Sequence, residues 1–105
     1  MFGVQQDTGM AKNIRVIEWI KADLLASLSA LFKAMLRGSE ERVLDALSGI
    51  IILCYVLGRR LGIGYTRMDL KLESKLRQGI EEDHEVERWF GDLSALLSHL
   101  TERKR

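Results

Sequence analysis

The chain has 105 residues, 47% hydrophobic and 30% charged, which bounds it to one domain with a modest core and excludes a disordered chain. Sixteen basic and 15 acidic residues leave a formal net charge of +1, which argues against a nucleic-acid protein that works by neutralising phosphates. There is no proline, and the single cysteine, Cys54, excludes an intramolecular disulfide.

Residues 1–10 read as a flexible lead. They are polar through Thr8 and lack the apolar region of a secretory signal, so a reducing cytoplasm is the expected compartment. A single helical domain then fills residues 11–101, and a charged tail, residues 102–105, reads as a solvated helix end.

The first helix is expected over residues 12–36. Ile17, Ile20, Leu24, Leu28, Leu31 and Met35 recur at spacings of three and four, and Leu25 and Phe32 widen that face. Gly38 ends it, and Ser39 is placed to cap the next helix, with Glu40 and Glu41 at its positive end.

The second helix is expected over residues 40–61, with Gly62 as its terminator and Arg59 and Arg60 suited to its negative end. It contains the run ALSGIIILCYVLG, residues 46–58, with no charged side chain. A helix apolar all round is expected to be buried. Its reach of about 20 Å falls short of a bilayer core of about 30 Å, so the run reads as a central core helix with Cys54 an inert buried thiol.

The third helix is expected from Thr66, with Asp69 at capping-box spacing, a stripe of Met68, Leu72 and Leu76, and Gly79 as its end. The fourth is expected over residues 83–100, with Val86, Trp89, Phe90, Leu93, Leu96, Leu97 and Leu100 on one face. No stretch alternates with period two. The expected fold is all-α, an antiparallel bundle of about four helices joined by short connections.

Four local runs carry a family resemblance: IEWIKADLL at 17–25, LFKAMLRG at 31–38, LCYVLGRRLGI at 53–63 and EDHEVERWFGDL at 82–93. In this order they resemble the MazG-like branch of the all-α nucleoside triphosphate pyrophosphohydrolases. Active members of that family hold Mg²⁺ with Glu-Glu-x-x-Glu on one helix and Glu-x-x-Asp on the next, and convert a nucleoside triphosphate to the monophosphate and pyrophosphate. The resemblance puts the first motif at Ala26, Ser27 and Ala30 and the second at Ala46 and Gly49. Hard Mg²⁺ takes oxygen ligands, which alanine and glycine side chains lack. It therefore implies no catalytic residues, no resident cofactor and a fold kept without its metal site. It also implies a homodimer or tetramer, because small residues in place of buried acids remove a desolvation cost.

Other candidates are weaker. Asp45 sits one residue, about 100° of helix, from the second motif. Glu81 and Glu85, with Asp83, His84 and Glu87, form a dense acidic run that also suits the first turn of a helix. Lys75 matches the place where active members use a basic helix to grip phosphate, but a solvated face explains it as well. Gly62-Ile63-Gly64 is a turn without a phosphate-loop motif. Three readings stay open: a non-catalytic MazG-like protein that oligomerises or binds a partner or nucleotide; a divergent pyrophosphohydrolase with Mg²⁺; and a helical adaptor with no nucleotide link. None involves nucleic acid or a membrane.

Overall fold

A computed structural model describes residues 2–103, with side chains from residue 9 onward. Five helices follow one another: α1 (Phe2–Arg37), α2 (Glu40–Arg60), α3 (Tyr65–Glu81), α4 (Glu85–Phe90) and α5 (Asp92–Arg103). No strand occurs among the described residues, and no helix is long and apolar enough to cross a membrane. The chain divides into two compact units, residues 1–64 and residues 65–105.

The first unit is an antiparallel hairpin of α1 and α2. Gly38 turns the chain at φ 69°, and its N–H closes on Met35 O while that of Ser39 closes on Ala34 O, so the end of α1 is satisfied by its own carbonyls. Ser39 then caps α2 through Oγ, which accepts from Arg42 N at 3.4 Å. At the open end, Asn13 Nδ2 donates to Arg60 O at 3.0 Å and Arg60 donates back to Asn13 Oδ1 at 3.4 Å. Gly62, at φ 89°, ends α2 with the same pair of closing bonds, Gly62 N to Arg59 O and Ile63 N to Gly58 O.

Packing in the hairpin follows a heptad rhythm. On α1, Ile17, Ile20, Leu24, Ser27, Leu31 and Ala34 form a shielded row, spaced three and four apart; on α2 the matching row is Val43, Ala46, Ile50, Leu53 and Leu57. That spacing keeps one seam in register between two helices over several turns. Ile20 is completely buried, and Leu31, Ala34, Ala46 and Leu53 complete the buried apolar set among the described residues.

The seam corrects the sequence reading in three places. Leu28 and Met35, expected on the packed face of α1, are exposed with Leu25 and Phe32, and Ser27 and Ala34 take their places. The uncharged run 46–58 is not covered all round: Leu47, Ile51 and Ile52 are exposed, and so is Cys54, which is not a core thiol, while Tyr55, Val56 and Leu57 are half-buried and Gly58 is buried. The reason is geometric, because one partner helix covers only one stripe of another. The backbone of α1 also starts at Phe2, ahead of the expected start near Lys12. The side chains of the first eight residues of the expected lead, and Lys104 and Arg105 of the tail, lie outside the described residues.

The second unit packs α5 against α3 and α4. Helix α3 begins at Tyr65 and runs through Gly79 to Glu81. Gly79 is therefore not a stop. A Cβ there would lie 2.8 Å from Leu93 Cδ1, so the glycine permits close approach of α3 and α5. The stop is Asp83, left-handed at φ 55°, with Asp83 N bonded to Ile80 O and His84 N to Gly79 O. The single fourth helix expected from the apolar pattern is two, broken at Gly91, which is left-handed at φ 67°. Leu93, Leu97 and Leu100 are half-buried, while Trp89 and Phe90 are exposed, their ring centroids 6.4 Å apart.

Two stability outcomes follow. Ile20→Ala removes the most buried side chain of the seam and is expected to lower unfolding stability by about 2–5 kcal/mol in a denaturant titration. Gly91→Ala forces a Cβ into the left-handed region and is expected to cost about 1–2 kcal/mol in the same assay, although nothing lies within 4 Å of the added carbon.

Candidate functional site

A groove of about 530 Å³ runs along one side of the α1–α2 hairpin. Helix α1 lines it with Ser27, Ala30, Lys33, Ala34 and Arg37, and α2 with Arg42, Asp45, Ala46, Ser48, Gly49 and Ile52. The heptad seam explains this arrangement. Residues one position off the seam on each helix face the same side, and in an antiparallel pair those two flanks form the walls of one groove.

The groove brings together four of the five positions at which the family resemblance puts metal ligands: Ser27, Ala30, Ala46 and Gly49. Ala26 is outside the lining. In place of a carboxylate cluster the walls carry one acid, Asp45, and three cations, Lys33, Arg37 and Arg42. These residues do not fit Mg²⁺: a hard divalent ion needs several oxygen donors, and three neighbouring positive charges oppose it. Among the described residues, no group of three or more His, Cys, Asp or Glu side chains is placed to hold a metal ion.

The three cations do not stand out as a set in the sequence, although a signal is present. Lys33 and Arg37 are four apart on α1, and Arg42 and Asp45 are three apart on α2, so each pair shares a helix face. The hairpin turn between them is what brings the pairs into one groove.

The other candidates are in the second unit and do not converge. Glu81 ends α3 and Glu85 begins α4, with the turn at Asp83 between them. His84 caps α4, its Nδ1 accepting from Val86 N at 3.2 Å. Asp83 binds Arg88 through its carboxylate at 2.9 Å and its carbonyl at 3.2 Å. The run is thus spent on ending one helix and starting the next. Lys75 is exposed on α3 and lies outside the shallow depression lined by Leu70, Glu73, Ser74, Arg77, Gln78 and Glu81.

Glu87 bridges the break at Gly91. Its carboxylate accepts from Ser94 N at 2.9 Å and from Ser94 Oγ, filling one of the open donor positions at the start of α5. These bonds, the side-chain one first, hold its carboxyl below the ordinary carboxylate value. A depressed carboxyl stabilises the fold above its unfolded-state value, and that contribution is lost as pH falls through the lower folded value. Thermal unfolding followed from neutral to acid pH is therefore expected to show a loss on the acid side that Glu87→Gln reduces; an unchanged acid limb in that variant would refute the assignment.

Residues 10–93 match the family model described as the MazG-like family. No curated protein and no solved structure matches the chain. A match over this length removes the alternative in which the resemblance is only the shared composition of helical bundles. An all-helical chain whose first two helices face one another across a groove, matched over residues 10–93, belongs to the MazG-like family.

Proposed function

We propose that this chain is a non-catalytic MazG-like protein that acts through self-association of its α1–α2 hairpin. The observation that carries the reading is the face opposite the groove. On α1, Ile14, Leu25, Leu28, Phe32 and Leu36 are exposed, and on α2, Leu44, Leu47 and Ile51 are exposed beside Cys54. Leu25 is 72% exposed and Leu36 is 89% exposed. From Leu25 onward on α1, and along the whole α2 row, the spacing is three and four, on the side of the seam away from the groove. In an antiparallel pair the two rows share one face of the hairpin.

A second copy is the occupant that matches this face. Its apolar rows run along two neighbouring helices with heptad spacing, and two such hairpins related by a two-fold axis form a four-helix core. Each large side chain moved out of water in that way contributes about 1.5–3 kcal/mol. The lack of catalysis rests on the groove, whose walls present Ala30, Ala46 and Gly49 together with three cations. Water activation on a triphosphate would need carboxylate-held metal there.

Light scattering at micromolar concentration is expected to give a dimer or higher assembly. Leu28→Glu combined with Ile51→Glu should give monomers with helicity retained, since both side chains lie off the hairpin seam. A monomeric native chain would overturn the reading. So would nucleoside triphosphate turnover with Mg²⁺ or Mn²⁺ that is lost in Asp45→Ala.

A further inference from the structure

We propose that α4 is a docking surface for a basic segment of a partner protein, whose arginine or lysine side chains settle on the exposed rings of Trp89 and Phe90 among acidic neighbours. The inference goes beyond self-association, which uses the α1–α2 hairpin.

Helix α4 has six residues, and Val86, Trp89 and Phe90 are its apolar side chains, at spacings of three and four from Val86. Trp89 is 70% exposed and Phe90 is 72% exposed, with the two rings inclined at 60° to one another. Both ends of this short helix are pinned. His84 caps its start, Asp83 holds Arg88, and Gly91 closes its end on Glu87 O. The rings therefore stand on a fixed support, which lowers the ordering cost of docking. Aromatic side chains presented in this way are the usual anchors of protein interfaces.

Charge decides what the rings receive. Exposed aromatic rings take nucleic-acid bases, a lipid interface or another protein. Residues 81–92 carry six acids, Glu81, Glu82, Asp83, Glu85, Glu87 and Asp92, against one base, Arg88, which leaves five negative charges in excess with His84 neutral. Hydrogen bonds from Gln78 to Glu82 and from Ser94 to Glu87 orient two of these carboxylates and leave their charge in place. A surface of this sign repels the phosphates of nucleic acids and of anionic lipids and attracts a cationic segment. Among the described residues these acids do not gather into a group placed to hold a metal ion, so a compact metal cation does not fit. An organic cation satisfies both features: the face of an aromatic ring attracts a guanidinium or ammonium group, and a carboxylate binds it by a charge-assisted hydrogen bond. Glu85 and Trp89 are four apart and lie on the same side of α4, which puts a carboxylate next to that ring.

NMR titration of the ¹⁵N-labelled native chain with an acetylated, amidated dodecapeptide of alternating arginine and glycine tests the proposal. Saturable shifts are expected over residues 81–92 and at the Trp89 indole N–H. Binding is expected to be about tenfold weaker in Trp89→Ala and about fivefold weaker in Glu81→Gln combined with Glu85→Gln, and to fall as salt is raised. All three side chains are exposed, and circular dichroism of each variant verifies the fold. Light scattering on the same samples reports self-association separately, so either reading can fail alone. No shifts with the arginine peptide, binding of native strength in Trp89→Ala, equal binding of a glutamate–glycine peptide, or shifts at α4 produced instead by oligothymidylate or by phosphatidylcholine–phosphatidylserine vesicles would each overturn the proposal.

Discussion

The interlocking seam between α1 and α2 governs the first unit of this protein. Ile17, Ile20, Leu24, Leu31 and Ala34 on one helix meet Val43, Ala46, Ile50, Leu53 and Leu57 on the other. Because each row repeats at three and four, the two helices stay in register over several turns. Once that register is set, every other residue of the hairpin has its direction fixed. One flank becomes the groove with Lys33, Arg37 and Arg42; the other becomes the apolar face with Leu25, Leu28, Phe32 and Ile51.

The two flanks differ in chemistry as well as in direction. Alanine, glycine and serine on the groove side leave open space between its walls. Leucine, isoleucine and phenylalanine on the other side leave large apolar groups facing water, a combination that marks a surface for association. A hairpin of two helices covers one stripe on each, so the charge-free run 46–58 still exposes Leu47, Ser48, Ile51, Ile52 and Cys54 in a single chain. The same run that suggests a core helix thus supplies part of an exposed face and part of a groove wall.

The second unit relies on local hydrogen bonding more than on burial. None of its described residues is buried, and its helix ends are held by side chains: His84 on Val86 N, Asp83 on Arg88, Glu87 on Ser94. An acidic run that could suggest a metal site is divided among these tasks. Ends of helices carry unpaired backbone donors and acceptors, and polar side chains nearby are the cheapest partners.

Several features were legible in the sequence because their causes are local. Helical spacing gave the all-α class, glycines at 38 and 62 marked helix ends, and Ser39 with Glu40 and Glu41 marked a start. The family was legible as well, since four runs kept their order along the chain. The break at Gly91 was not, because the apolar spacing from Phe90 to Leu93 continues across it. Gly79 looks like a stop in the sequence, which does not reveal the close approach of Leu93. On α1 the rows led by Ile20 and by Leu28 are both apolar, and spacing alone ranks neither; the partner helix chose the row with Ser27 and Ala34, whose small side chains let the backbones approach. The sequence by itself determined helices, their ends and the family. Only the tertiary structure decided which stripe is covered and which cations share a groove, because both depend on how a second helix lies against the first.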